Sequence, residues 1–492
     1  MEQLLRMSAE SLIQLQYCGI FRAQKVSPFM SIRKKYIGTP AFYHMVLAVA
    51  VPIMVQSGIT NFVSLLDNIM VGRVGTNQMS GVAIINQLLF VYNLCVLGGI
   101  SGAGIFTAQY YGSGNTAGVR DTFRFKIWTI LVLCALCIAV FLLRGDQLIR
   151  LYLHADSGNA DAEETFAAAR QYLAVMCFEI IPFALTQVYA GTLRETGETL
   201  LPMKAGIAAV FVNLTFNYIL IYGKFGAPAL GVAGAAIATV LSRFAELGII
   251  VIWTHTHPGR NPFIVGAFSS LRLPLLLSRN IIVRGLPLLL NEALWSSGMA
   301  VMMQNYSLRG LPVIAALNIS STISNVFNIV FIAMGQSIAI ILGQRLGAGE
   351  LAAAKDYSRK LIPFSVACCI VSGALMACAA PFFPLMYRTE APVRSLASGL
   401  ILISAGCMPM YAFENACYFV LRSGGKTFVT FLFDSVFVWV ISIPLAFCIG
   451  HFTALPILPF YLVCQLVELF KCAIGFWMVK KDFWIHNLAA EM

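Results

Sequence analysis

The chain has 492 residues, of which 59% are hydrophobic and 11% are charged, and its mean hydropathy is +0.80. Soluble globular proteins carry about 25% charged residues, so this composition excludes a soluble domain and predicts an all-α polytopic membrane protein. The net charge of +11 requires no nucleic-acid partner, because basic residues collect on the cytoplasmic side of membrane proteins.

The N-terminal segment, residues 1–39, is basic and precedes the first apolar stretch. It lacks an apolar core followed by a small-residue cleavage site, which a secretory signal peptide needs. We therefore predict that residues 1–39 form a cytoplasmic tail.

Apolar segments then recur along the chain, separated by short polar breaks. Each is about 20 residues or longer, which is enough to cross a bilayer core of ~30 Å. Twelve membrane-spanning helices are therefore predicted. In chain order they are residues 41–70, 78–110, 124–143, 166–190, 200–222, 230–254, 281–308, 314–343, 360–380, 395–421, 427–450 and 456–479.

The distribution of positive charge orients these spans. If the N-terminus is cytoplasmic, eight of the 33 Lys and Arg residues fall on the outer side: Arg73, Arg144, Arg150, Arg170, Lys224, Arg309, Arg388 and Arg394. The positive-inside rule then predicts a multi-pass protein with both termini in the cytoplasm. We expect it in the plasma membrane.

An internal repeat divides the chain into two halves. A shift of 235 positions aligns uncommon residues: Pro52 with Pro287, Gly75 with Gly310, Asn93 with Asn328, Gln109 with Gln344, Gly112 with Gly347 and Gly114 with Gly349. Later in each half, TLRETGET at 192–199 resembles VLRSGGKT at 420–427, a shift of 228. Each half carries six predicted helices, so both halves start on the same side of the membrane.

Repeats of this kind form two lobes related by a pseudo-twofold axis along the membrane normal. We predict an N-terminal lobe of residues 40–254 and a C-terminal lobe of residues 281–480. The cytoplasmic stretch 255–280 is the predicted linker between the lobes, and residues 481–492 form a second cytoplasmic tail.

Five stretches resemble a known family. They are PIMVQSGITNFVSLLDNIMVGRVG (52–75), AQYYGSGN (108–115), VNLTFNYILIYGKFGAPALGVAGAAIATVLSR (212–243), GQRLGAGE (343–350) and LRSGGKT (421–427). Together they look like the multidrug and toxic compound extrusion (MATE) family, over about residues 40–480.

The resemblance implies alternating access between two lobes and export of organic compounds driven by an inward flow of Na⁺ or H⁺. Accordingly, we expect cationic amphipathic small molecules as substrates and membrane lipids as the other partners. We expect a monomer. We expect neither a nucleic-acid partner nor a cofactor beyond the coupling ion.

The first candidate site centres on Asp67, an acid inside the first apolar span, where an unpaired carboxylate is costly. On the fifth span Asn213 and Asn217 are one turn apart, and Thr239 follows near the outer end of the sixth. With a rise of ~1.5 Å per residue, these groups fall at similar depth in the outer half of the N-terminal lobe. We predict that they bind the coupling proton or Na⁺.

The resemblance points to the same residues. The family's helix 1 aspartate matches Asp67, and the asparagine of its helix 5 N-x-x-x-D pattern matches Asn213. This chain has Asn217 where some branches have the second acid. The alternatives are that Asp67 braces a helix bundle and that the two asparagines only join helices by hydrogen bonds.

A second candidate site lies in the C-terminal lobe. Glu292 stands eight residues after Arg284, and Glu414 stands eight before Arg422 on a helix of opposite direction. Both are expected about 12 Å inside those arginines, at similar depth. We predict a site for a substrate cation or coupling ion at Glu292 and Glu414, with Glu179 on the fourth span as a further candidate. Structural carboxylates are the alternative.

Two other intramembrane acids have simpler predicted roles. Glu246 follows Arg243, and Glu468 precedes Lys471, each at i,i+3 spacing, which favours local ion pairs on a helix.

Two alternatives to cation-coupled export stay open. One is a lipid-linked oligosaccharide flippase of the wider superfamily. The other is a polytopic membrane enzyme. The sequence contains no HExxH, GxSxG or phosphate-binding glycine loop, and this argues against an enzyme.

Overall fold

The structure is a computed structural model of the chain. It describes residues 35–72, 74–153, 159–270, 272–387 and 389–491. The predicted N-terminal tail of residues 1–39 lies outside these ranges except for residues 35–39.

The described secondary structure consists of helices, and twelve long ones follow the predicted order. They are α1 (Pro40–Gly72), α2 (Thr76–Gly112), α3 (Thr116–Arg150), α4 in two segments (Asn159–Met176 and Ile180–Glu195), α5 (Leu200–Tyr222), α6 (Gly231–Thr256), α7 (Leu275–Ser307), α8 (Leu311–Gly347), α9 (Leu351–Ala379), α10 (Ala391–Ser423), α11 (Thr427–Phe452) and α12 (Ile457–Lys480).

Length and apolarity alone identify most of these helices as membrane spans. Within the described ranges ten pass that test singly, and the bent α4 pair makes an eleventh. The remaining helix, α7, is 33 residues long but carries Arg279, Arg284 and Glu292. These charges and the polar residues of α7 lower its mean hydropathy, which makes its membrane-spanning character less evident.

The fourth span differs from the single helix predicted over 166–190. It is two segments that meet at an angle of 49°, and Glu179 lies at the break. Pro182 explains the break, because proline donates no backbone hydrogen bond and its ring clashes with the carbonyl four residues earlier. The break brings the Glu179 carboxylate to the interior of the lobe.

The connection between the lobes is shorter than predicted, because α7 begins at Leu275 directly after Pro274. The linker packs against α3. Phe263 is 2% exposed, and Arg124 donates hydrogen bonds to the carbonyls of Gly266 (2.6 Å) and Ala267 (2.7 Å). The linker is thus fastened to the N-terminal lobe.

The two lobes meet where α2 and α8 end, a region called here the α2–α8 end. A Cβ atom added to Gly112 would touch the backbone of Gln344, and one added to Gly347 would touch the backbone of Gln109. These four residues are two of the pairs that the 235-residue shift aligns. Equivalent residues that contact each other reciprocally lie beside a pseudo-twofold axis, so this contact places the axis between α2 and α8.

Candidate functional site

The N-terminal lobe assembles the predicted polar cluster from three helices, α1, α5 and α6. Asn217 Nδ2 donates to Asp67 Oδ1 at 2.5 Å and to Asn213 Oδ1 at 3.0 Å. Asn213 Nδ2 in turn donates to Thr239 Oγ1 at 3.4 Å. The structure therefore brings together all four residues predicted for this site, and their role in ion binding stays a prediction.

Helix geometry explains why these groups meet. Asn213 and Asn217 are one turn apart, so both face the same side of α5, and they are 3% and 1% exposed. Asp67 lies near the end of α1, and Tyr222 at the end of α5 donates to the Met70 carbonyl at 3.2 Å. This bond ties the two helix ends together and holds the carboxylate beside the asparagines.

One polar atom in this cluster lacks a partner. Asn217 Nδ2 directs both of its protons to acceptors. Asn217 Oδ1, on the same amide, is buried and receives no hydrogen bond from the described residues. A buried carbonyl oxygen without a donor is unfavourable. Together with the second oxygen of Asp67, it offers oxygen ligands of the kind that hard cations bind, or an acceptor for the proton of a neutral carboxyl.

A group of ion pairs centred on Arg243 lies next to this cluster. Arg243 is one helical turn after Thr239 on α6. Arg243 Nε contacts Glu179 Oε1 at 3.0 Å, and Arg243 Nη1 contacts Glu246 Oε2 at 3.2 Å. The i,i+3 pair with Glu246 is the one that the spacing predicts. Glu179, predicted as a substrate or cation site, has the Arg243 guanidinium as its direct partner, and its role in binding stays a prediction.

In the C-terminal lobe, Glu414 contacts Lys471 on α12. The distance from Lys471 Nζ to Glu414 Oε2 is 3.9 Å, and the same ammonium lies 2.8 Å from Asp434 and 3.5 Å from Glu468. The pair of Lys471 with Glu468 matches the predicted i,i+3 spacing. Sequence reasoning missed the central position of Lys471 and the participation of Asp434.

Glu292 is placed differently from Glu414. Its neighbour Asn291 donates to Asp434 Oδ2 at 3.0 Å, so the two adjacent side chains of α7 point in different directions, about 100° apart around the helix. Within the described part of the chain, no hydrogen bond or ion pair joins Glu292 to Glu414. The predicted joint site of these two acids therefore stays a prediction without a direct contact.

A sequence signal for Lys471 did exist. The shift of 228 that relates 192–199 to 420–427 also relates Arg243 to Lys471. Both are basic residues near the middle of the last helix of their lobe, and Lys471 is buried whereas Arg243 is partly buried. Applying the repeat to charged residues, rather than to glycine and proline alone, would have identified them as a pair.

Comparison with known proteins supports the repeat and the fold. The MatE family model matches residues 52–219 and 287–448, and these two stretches begin 235 residues apart, at Pro52 and Pro287. The chain is 23% identical over 447 residues to "Probable multidrug resistance protein NorM" of Thermotoga maritima, covering 87% of this chain and 90% of that one. It is 24% identical over 415 residues to "Multidrug resistance protein MdtK" of Edwardsiella ictaluri, covering 82% and 87%.

Solved structures confirm the predicted fold of twelve helices in two lobes. A variant of the MATE transporter VcmN from Vibrio cholerae superimposes with a TM-score of 0.81 at 16% identity, covering 92% of this chain and 99% of that one. A crystal structure of a MATE protein in complex with MaL6 gives 0.78 at 17% identity, covering 92% and 97%. From the match of the family model over both halves, the chain belongs to the MatE family of multi-pass membrane transporters.

Proposed function

We propose that the protein is a cation-coupled antiporter that exports amphipathic organic compounds by alternating access, with Na⁺ or H⁺ as the coupling ion. Membership in the MatE family and relatives described as multidrug resistance proteins support export of organic compounds. Asp67 is the proposed coupling carboxylate. The buried and unpartnered Asn217 Oδ1 beside it is the observation that carries this assignment.

The proposed cycle follows from differential affinity. Burial favours the neutral form of a carboxylic acid, whereas a bound cation favours the ionised form. When the lobes rearrange, the hydration of Asp67 and its distance from Asn217 change, so its affinity for a proton or Na⁺ changes as well. A ligand can drive a conformational change only through such a difference.

For the substrate, Glu292 is the acid that we propose to meet a cationic group. The acids Glu179 and Glu414 already have Arg243 and Lys471 as partners. In the described part of the chain Glu292 has no such ion pair. We further propose that the protein works as a monomer in the plasma membrane, with both termini in the cytoplasm.

Transport by an Asp67→Asn variant tests the proposal. The purified protein is reconstituted in liposomes, Na⁺ and pH gradients are imposed separately, and uptake or release of a fluorescent cationic dye such as ethidium is followed. Asn keeps the shape of Asp but loses the charge, so we expect gradient-driven transport to fall to the level of empty liposomes. Dye binding, measured separately, should persist.

Asp161→Asn is the matched control, because Asp161 is an exposed acid whose one hydrogen bond within the described ranges is accepted from Asn77. This control should transport at the wild-type rate. Wild-type pumping by Asp67→Asn under both gradients would show that Asp67 is structural and would move the coupling site elsewhere.

A further inference from the structure

Lys471 lies where three carboxylates from three helices converge. Asp434 comes from α11, Glu414 from α10 and Glu468 from α12 itself, and each has an oxygen within 4 Å of Lys471 Nζ. Lys471 is 5% exposed. A buried ammonium of this kind persists only when it is paired with negative charge.

The carboxylates have few other donors. Asn291 donates to Asp434 (3.0 Å), and Ser442 donates to Glu468 Oε1 (3.1 Å). Among the described residues, Glu414 Oε2 and Glu468 Oε2 are buried without a hydrogen-bond donor of their own, and both lie toward Lys471. The ammonium is therefore the positive group around which this acid cluster, Glu414, Asp434 and Glu468, is organised.

The N-terminal lobe contains the equivalent basic residue with a different outcome. The repeat relates Lys471 to Arg243, and Arg243 pairs with Glu179 and Glu246. Asp67 lies outside those pairs and is hydrogen-bonded to an uncharged amide instead. The N-terminal lobe thus keeps one acid outside the ion pairs of its basic residue, whereas in the C-terminal acid cluster every member is within ion-pair distance of Lys471.

We infer that Lys471 is a tethered cation that occupies the acid cluster of the C-terminal lobe and prevents this cluster from binding an external cation. Lys471 thereby determines the ion specificity of this lobe and confines external coupling ions to other sites. The ammonium lies within 4 Å of an oxygen atom of each acid, and like charges repel strongly where the dielectric constant is low, so it disfavours an inorganic cation at these oxygen atoms. Without the ammonium, the oxygen atoms that now surround it are suitable ligands for Na⁺.

The variant Lys471→Met tests this inference, because Met is unbranched and of similar length but carries no charge. Thermal unfolding of the purified protein is measured at alkaline pH, where protons compete least, as Na⁺ replaces choline at constant ionic strength. We expect Na⁺ to raise the Tm of Lys471→Met by at least about 3 °C and to leave that of Lys471→Arg as in the wild type. Binding of radioactive Na⁺ should increase in parallel in Lys471→Met alone.

Lys480→Met is the matched control, since it makes the same substitution on the same helix at an exposed position. It should behave like the wild type. The double variant Glu468→Gln/Lys471→Met removes one ligand of the created site, and its half-saturating Na⁺ concentration should be at least about tenfold higher than that of Lys471→Met.

Two results would overturn the inference. One is an Na⁺ response of Lys471→Met that equals that of Lys480→Met. The other is an Na⁺ response of the wild type that disappears in Glu468→Gln, which would mean that the cluster binds Na⁺ while Lys471 is present. This second comparison needs no variant at Lys471, so it decides the matter even if Lys471→Met does not fold. The binding test is also independent of transport, so it and the Asp67→Asn experiment can fail separately.

Discussion

Arg243 has two carboxylate partners, Glu179 and Glu246, and Asp67 is neither of them. This division of partners separates Asp67 from the two acids of its lobe that pair with Arg243. An acid in a buried ion pair is held in its charged form by a fixed partner. In the described part of the chain Asp67 has no basic side chain within ion-pair distance, and an amide donor and an unpartnered amide oxygen lie beside it instead. The proposed function accordingly assigns the exchange of a proton or cation to Asp67 and leaves Glu179 and Glu246 as the partners of Arg243.

The Arg243 ion pairs lead to a prediction for Glu179→Gln. Glutamine keeps the shape of the side chain and leaves Glu246 as the partner of Arg243, so the loss is one charge-assisted hydrogen bond. We expect the free energy of unfolding to fall by about 1–3 kcal/mol, while the affinity for a cationic dye stays within twofold. Denaturant unfolding and dye-binding titrations on the same preparation measure both quantities.

Glu163→Gln serves as the control, because the pair that Glu163 forms with Arg150 is 59% and 68% exposed at its two side chains. Exposed pairs contribute little to stability, so this change should stay within about 0.5 kcal/mol of the wild type. A Glu179→Gln protein of normal stability that has lost dye affinity would instead return Glu179 to the substrate site.

The sequence predicted the Asp67 cluster more completely than the C-terminal acid cluster for a physical reason. Asn213, Asn217 and Thr239 could be placed at the depth of Asp67 from helix direction and rise alone. The partner of Glu414 depends on the rotation of α12 about its own axis, which helix direction and rise do not give. That rotation brings Lys471 to Glu414, and the π-helical turn Leu432–Val436 in α11 carries Asp434 to the same point. Unlike Asn213 and Asn217, these groups could not be related by spacing along one helix.

At the scale of elements, hydropathy predicted where helices lie but not how they bend or pack. The bend of α4 at Glu179 depends on whether a helix continues through Pro182, and proline occurs inside continuous helices elsewhere in this chain, at Pro52 in α1 and Pro287 in α7. The close approach of α2 and α8 had a clearer signal, because the repeat contains glycine at both positions of the contact. Glycine is required there by proximity, since a side chain would overlap the opposing backbone.

This packing predicts the effect of Gly112→Ala and Gly347→Ala. Each added methyl group would meet the backbone of the opposite helix, which cannot move aside as a flexible side chain can. We expect each variant to disfavour contact between the lobes at the α2–α8 end and to lower the transport rate roughly tenfold. To measure this, a cysteine replaces Ala352, an exposed residue near this end, in a protein without native cysteines. This cysteine should react faster with a bulky thiol reagent when Gly112→Ala or Gly347→Ala is present.

Gly248→Ala is the control for these variants, because Gly248 lies within α6 and a Cβ there has no heavy atom within 4 Å. In a helix this change should be neutral or stabilising by up to about 1 kcal/mol. If Gly112→Ala and Gly347→Ala transported as Gly248→Ala does, close packing of α2 and α8 would not be needed in the cycle.

For the whole molecule, the contact at the α2–α8 end includes the C-terminal segment, residues 481–491. Gln109 of the N-terminal lobe is fully buried and bonds to three backbone groups. Its Nε2 donates to the carbonyls of Ser423 (2.9 Å) and His486 (3.2 Å), and its Oε1 accepts from the Leu488 amide at 2.7 Å. One side chain thus joins one lobe to the other lobe and to the C-terminal segment.

The same segment is also held by the C-terminal lobe. Trp484 is fully buried, and its backbone lies against Gly424. Asp482 forms an ion pair with Lys355 at the start of α9, and Asn487 Nδ2 donates to the Gly347 carbonyl at 3.5 Å. A segment that contacts both lobes stabilises the arrangement in which their ends are together and must lose some of these bonds when they separate.

We therefore predict that Gln109→Leu shifts the molecule away from the state in which the lobes meet at the α2–α8 end. Leucine fills a similar volume but leaves three buried backbone groups without their partner, which costs about 1–3 kcal/mol in that state alone.

Spin labels at Ser113→Cys and Ala352→Cys, on opposite lobes near this end, would report the change by pulsed electron paramagnetic resonance. The long-distance population should grow at least about fivefold, since 1.4 kcal/mol corresponds to a tenfold change in an equilibrium constant. Shortening the chain after Lys481 should act in the same direction. It removes His486 and Leu488, which supply two of the three backbone partners of Gln109. Distance distributions that are unchanged in both variants would mean that the C-terminal segment packs on the closed lobes without stabilising them, and that the glycine contact of α2 and α8 alone holds this end together.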